Sequence, residues 1–110
     1  MVLLKAILRP DKVDAVKDAL IDVGVTGMTV TEVRGHGQQK GHTAVYRGKE
    51  YAVTLLPKMQ IEVVIADHLS REAVNAVIEA GRTGEIGDGR VFVIPVAESY
   101  RIRTGELESL

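Results

Sequence analysis

Two helical stripes, each enclosed by strand-like runs, set the narrowest limits on this fold. Val2 to Arg9 alternates as a strand does: Val2, Leu4, Ala6 and Leu8 point one way, Leu3, Lys5, Ile7 and Arg9 the other. Pro10 stops it, because proline cannot donate to a ladder. Asp11 follows as an expected helix cap. Val13, Val16, Leu20 and Val23 then recur at the three-and-four spacing of one buried helical face, which Gly24 closes. A Thr/Val-rich strand runs from Gly27 to Arg34. A third strand places Met59, Ile61, Val63 and Ile65 on one face and Gln60, Glu62, Val64 and Ala66 on the other. Ser70 is the expected cap of a second helix with the stripe Ala73, Val77, Ile78 and Gly81. Val91 to Ile94 forms a fourth strand broken by Pro95, with an extended run from Val96 to Arg103 and a loose tail from Gly105 to Leu110. The order β-α-β-β-α-β is that of an α+β, ferredoxin-like sandwich: an antiparallel sheet with both helices on one face.

Only one sheet face is covered in that arrangement. The other still carries Leu3, Ile7 and Val64 among polar residues. Two readings fit: a mildly apolar solvated face, or a face covered by another subunit through closed rotational symmetry.

The length of 110 residues fits one domain, 1–110. The net charge of −1 gives no general attraction to nucleic acid or membrane. Cysteine is absent, which excludes disulfides and thiol catalysis. No apolar run approaches the roughly 20 residues of a membrane span, and the N-terminus enters strand pattern directly. A cytoplasmic protein is expected.

Between the second and third strands lies a connection of roughly twenty residues, where a hairpin commonly needs about 2–5. Its first half holds Gly35, Gly37 and Gly41; its second holds Tyr46, Arg47, Lys49, Glu50 and Tyr51. It reads either as an arm ordered by something it binds, or as an ordinary loop or longer β-ribbon. A second glycine-rich loop, T-G-E-I-G-D-G-R, runs from Thr83 to Arg90. Gly84, Gly87 and Gly89 let backbone N–H groups turn toward an anion, and a plain tight turn fits as well. Arg101 and Arg103 are two apart in the extended run, so their guanidinium groups point the same way, with Arg90 as a third. Three such forks suit a polyphosphate; a solvated basic edge paired with Glu98 and Glu106 is the alternative. His36, His42 and His68 lack metal-ligand spacing, no Ser-His-Asp arrangement is suggested, and stacking aromatics for RNA are scarce.

The runs G-M-T-V-T-E-V-R-G-H-G-Q-Q-K-G-H-T-A-V-Y-R-G-K-E-Y (Gly27 to Tyr51), L-P-K (Leu56 to Lys58), T-G-E-I-G-D-G-R and R-I-R-T-G-E (Arg101 to Glu106) closely resemble the PII nitrogen-regulatory signal-transduction proteins across essentially the whole chain. The resemblance implies a homotrimer that senses ATP, ADP and 2-oxoglutarate between subunits, with a T-loop at about 37–55. It implies nucleotide contacts at Ile7, Thr29, Gly35, Gly37, Gln38, Glu62 and Val64, and at Gly87, Asp88, Gly89, Arg90, Arg101 and Arg103 near the phosphates. Gln39 matches the residue that holds Mg²⁺; Gln39, Lys40, Gly41 and Lys58 match the 2-oxoglutarate site. Tyr51 matches a tyrosine that a nucleotidylyltransferase uridylylates or adenylylates. Implied partners are ammonium channels of the Amt type, through which alone the protein meets a membrane, and nitrogen-assimilation enzymes or their regulators; nucleic acid is not among them. The implied role is regulatory, with a slow ATPase side activity in some members. A small enzyme acting on a phosphorylated substrate and a ligand-free docking module are the alternatives.

Three departures stand out. Gln38 replaces an Arg common in the family, which bears on ATP/ADP discrimination. Arg90 replaces a common Lys, keeping charge but not geometry. Lys49 occupies a position that one branch phosphorylates on Ser, which excludes that modification.

Overall fold

The computed structural model describes residues 1–36 and 55–110 in full, together with the backbone of strands 43–46 and 49–52. Its elements are β1 (Val2–Leu8), a 3₁₀ turn at Pro10–Lys12, α1 (Val13–Asp22), β2 (Thr29–Gly35), β3 (Thr43–Tyr46), β4 (Lys49–Ala52), β5 (Leu56–Ile65), a second 3₁₀ turn at Asp67–Leu69, α2 (Ser70–Gly81) and β6 (Gly89–Pro95). Four strands form one sheet in the order β2-β5-β1-β6, with every neighbouring pair antiparallel. This is the expected ferredoxin-like sandwich. β3 and β4 pair antiparallel as a separate ribbon, from Thr43 opposite Ala52 to Tyr46 opposite Lys49.

The alternation in β1 and β5 decides which face becomes the core. Leu4, Ala6 and Leu8 are buried with Ile61, Val63 and Ile65, and the helices close over them with Val16, Leu20, Ala73 and Val77. Gly81 is buried too, and a Cβ there would lie 3.5 Å from Val16 Cγ2, an ordinary van der Waals contact between the helices. Among the described residues no helix is long and apolar enough to cross a membrane.

The register lays out the uncovered face. Val64, Leu3 and Ile94 sit side by side across β5, β1 and β6; Glu62, Lys5 and Phe92 form the next row, and Gln60, Ile7 and Arg90 the one after. Phe92 and Ile94 are each 40% exposed, so an apolar band crosses the sheet that no other described residue covers.

Several local expectations are corrected. Asp11 lies inside the first 3₁₀ turn, and Ser70 is the first residue of α2. Neither helix start carries a side-chain cap. The turns do that work instead: Lys12 N donates to Arg9 O at 3.0 Å and Leu69 N to Ala66 O at 3.1 Å, so the chain already curls when each helix begins. The last sheet strand ends at Pro95 and the extended run does not reach Arg103: residues 102–104 form a turn. Gly105, at φ +72°, donates to Arg101 O at 2.7 Å and reverses the chain before strand alternation can align Arg101 with Arg103. The segment expected to be loose folds back on itself. Tyr100 bridges Leu107, Glu108 N donates to Ser99 O at 2.7 Å, and Arg101 pairs with Glu108 at 3.3 Å.

Candidate functional site

At one end of the open face the glycine-rich loop stands over the ends of β1, β2 and β5. The cleft between them has a volume of about 530 Å³. Ile7 comes from β1, Gly35 and His36 from the exit of β2, Leu56 and Lys58 from β5, residues 85–90 from the loop and Phe92 from β6.

The loop's shape follows from its own side chains. Gly84, Gly87 and Gly89 take φ of +91°, +103° and +101°, which most residues resist. Asp88 ties the loop together. Its carboxylate accepts from Thr83 N and Gly84 N, both at 2.9 Å, from the Thr83 hydroxyl, and from Arg9 Nε at 3.0 Å. Arg9 also donates through Nη2 to Ile86 O at 3.0 Å, and Lys58 Nζ donates to Gly87 O at 2.7 Å. In a trans peptide the N–H points opposite to the C=O. Drawing the carbonyls of Ile86 and Gly87 onto Arg9 and Lys58 therefore turns the amides of Gly87 and Asp88 away from those cations. Among the described residues neither amide has an acceptor of its own.

The charges are set accordingly. The Thr83 hydroxyl, with the Thr83 and Gly84 amides and Arg9, holds the Asp88 carboxyl well below the usual carboxylate range. Burial lowers the Lys58 ammonium, and the nearby Arg9 lowers it further against the opposing pull of Asp88. Lys58 and Arg90 line the cleft together with Asp88 and Glu85, and Arg9 pairs with Asp88. Because Asp88 is ionised more readily in the fold than in the unfolded chain, its contribution to stability is fully present above the unfolded value of about 3.9 and is lost as the pH falls through and below it. The stability difference between the wild type and Asp88→Asn is thus expected to be constant from neutral pH to about pH 5 and to shrink below about pH 4. Denaturant titrations of both proteins along a pH series measure it.

With this geometry in place, the comparisons identify the chain's relatives. The family model described as Nitrogen regulatory protein P-II matches residues 1–106. The chain belongs to that family. It is 56% identical over 103 residues to the Nitrogen regulatory protein P-II of Azospirillum brasilense, covering 94% of this chain and 92% of the relative. It is 50% identical over 109 residues to the protein of that name from Rhizobium etli (99% and 97% covered) and 54% identical over 103 residues to Nitrogen regulatory protein P-II 1 of Escherichia coli K12 (94% and 92% covered). This P-II family member is a nitrogen-regulatory signalling protein, and its relatives carry the names of regulators rather than of enzymes.

The positions expected from P-II likeness fall into separate places. Ile7, Gly35, Lys58, Gly87, Asp88, Gly89 and Arg90 share the cleft. Thr29, Glu62 and Val64 lie further along the open face, beside a second cleft with Leu3, Gly27 and Met28. Thr29 is the register partner of Glu62, and Gln60 donates to the Glu62 carboxylate at 2.8 Å. Four strand positions separate Glu62 from Lys58, about 13 Å along β5. Arg101 and Arg103 belong to the tail turn. Gly37, Gln38, Gln39, Lys40 and Gly41 lie outside the described residues, and of Tyr51 only the backbone is described, opposite Ala44 in the ribbon. Among the described residues no group of three or more His, Cys, Asp and Glu side chains could hold a metal.

Sequence reasoning missed Arg9 and Thr83. Arg9 follows directly on β1, which ends at Leu8 rather than at Arg9, and Thr83 opens the glycine loop; nothing in local spacing links either to Asp88.

Proposed function

We propose that the protein is a trimeric sensor of nitrogen, carbon and energy status that binds ATP or ADP and 2-oxoglutarate at clefts shared between subunits and signals through its T-loop. The observation that carries this reading is the glycine loop itself. Its carbonyls are drawn onto Arg9 and Lys58, two of its amides have no acceptor among the described residues, and Arg90 stands at its end. That is an environment for a polyanion. The other expected nucleotide positions lie elsewhere on the open face and in the tail, as a site completed by a neighbouring subunit requires.

In this reading the loop amides and Arg90 take the phosphates. Glu62, Thr29 and Val64 of one copy and the cleft of the next share the nucleotide, with Arg101 and Arg103 completing the phosphate side. Lys58 and the Gln39–Gly41 segment hold 2-oxoglutarate. Gln39 is the residue that would hold Mg²⁺, which would neutralise phosphate charge. Ligands that fix the arm's base differently select different arm shapes, and targets respond only to the difference in their affinity for those shapes. The targets are ammonium channels of the Amt type and nitrogen-assimilation enzymes or their regulators, in a cytoplasmic setting, and Tyr51 is the site for nucleotidylylation. Asp88 keeps its charge far below neutral pH, so it is a poor proton donor.

Calorimetric titration of ATP with Mg²⁺, with and without 2-oxoglutarate, tests the proposal. Tighter ATP binding when 2-oxoglutarate is present is the expected result. ATP binding without that synergy keeps the nucleotide site and shifts attention to Gln38. Absence of ATP binding would leave a docking module.

A further inference from the structure

A two-pronged contact from the end of β1 to the glycine loop involves a residue outside every expected site position. Arg9 joins Asp88 through Nε and Ile86 O through Nη2, across 79 and 77 positions of sequence. Both members of the Arg9–Asp88 pair are largely withdrawn from solvent, at 22% and 24% side-chain exposure. Arg9 holds one oxygen of Asp88, while the other oxygen takes the amides of Thr83 and Gly84. The same guanidinium fixes the orientation of the Ile86–Gly87 peptide. A lysine could supply the charge but not this fork, because its three donors radiate from a single atom.

We propose that Arg9 is a positioning residue, which holds the Thr83–Gly89 loop in its anion-receiving shape by gripping Asp88 and the Ile86 carbonyl together. The shape is argued from the ligand-free geometry. That the anion is the phosphate chain of a nucleotide rests on the function proposed above.

The consequences separate a clasp from a general stabiliser and from a distant charge. If the clasp is released, the loop opens locally while the core stays closed. Amide exchange at Thr83 and Gly84 accelerates, and exchange at Leu4 and Ile61, deep in the sheet, does not. ATP binding weakens because the loop must be reordered before it can receive phosphate.

The experiment uses the full chain and two variants. Arg9→Met keeps most of the stem and removes the guanidinium. Arg9→Lys keeps the charge and loses the fork. Amide exchange is followed without ligand, and ATP affinity by calorimetry. In Arg9→Met we expect exchange at Thr83 and Gly84 to be about tenfold faster, and ATP to bind about tenfold more weakly, in line with the loss of a hydrogen bond to a charged group. Arg9→Lys is expected to recover only part of both effects. Unchanged exchange at Thr83 and Gly84 in Arg9→Met overturns the clasp. Equal acceleration at Leu4 and Ile61 also overturns it, by showing a global loss of stability. Full recovery in Arg9→Lys assigns Arg9 to charge alone and overturns the fork. A wild type that binds no ATP overturns the nucleotide reading, and the clasp then stands or falls on the exchange data.

Discussion

Replacing Gly89 with alanine is expected to cost about 3–5 kcal/mol of stability, among the largest effects of any single methyl group in this chain. Two causes add. Gly89 has φ +101°, which an L side chain adopts only with strain. A Cβ built there would also lie 1.8 Å from Ile7 O and 2.8 Å from the carbonyl carbon of Ile7. Those are backbone atoms of the central strand, so no side-chain rotation relieves the overlap. The strand ends must part where Leu8 faces Gly89, and that is also where the loop enters β6. Gly84→Ala provides the control. Gly84 has φ +91° but nothing within 4 Å of a Cβ, so only the conformational strain remains, about 1 kcal/mol. Denaturant unfolding of both variants at one fixed protein concentration measures the difference. Equal costs would show that strand ends at Gly89 yield freely. Since domains of this size are stable by about 5–15 kcal/mol, Gly89→Ala is also expected to lower the yield of folded protein.

Leu3→Glu is expected to dissociate the proposed trimer while leaving the fold of the chain intact. Leu3 lies at the middle of the row Val64–Leu3–Ile94 on the face that the helices do not cover. The buried core is on the other face, so the substitution removes no core packing. In an assembly with rotational symmetry it recurs in every subunit. Each added carboxylate would lose its hydration without a designed partner, at several kcal/mol apiece, and like charges would gather around the axis. Sedimentation velocity should show a monomer, circular dichroism an unchanged secondary structure, and calorimetry the loss of ATP binding, because the proposed sites are shared between subunits. A variant with wild-type mass and ATP affinity would show that this row is not an interface.

The layout of the sandwich was legible wherever one face of an element is dry. Leu4, Ala6 and Leu8, or Val16 and Leu20, repeat at the period of their element because burial selects for it. Helix starts were less legible. Asp11 and Ser70 have the composition of caps, yet 3₁₀ turns introduce both helices, and turn and cap favour the same residues. Arg101 and Arg103 look like a strand pair until Gly105 reverses the chain, a conformation set by one residue beyond the pattern. In the cleft, the three glycines and Arg90 could be read directly, since backbone freedom and charge are properties of residue type. The grip of Arg9 on Asp88 could not. It joins 79 positions, and only the pairing of β1 with β6 brings them together.

Gly35 and Leu56 face each other across β2 and β5. The chain therefore leaves the sheet and returns to it at a single point, whatever happens in between. To the sandwich, the intervening segment is an insertion with its ends already joined. Its length adds a closure entropy to the folding balance, which rises by about 0.6 kcal/mol for each doubling. The arm can accordingly be lengthened, shortened or rewritten at small cost to the body beneath it. A lineage could change the length of this insertion without rebuilding the sandwich beneath it, and a peptide grafted between these two residues should inherit the same freedom.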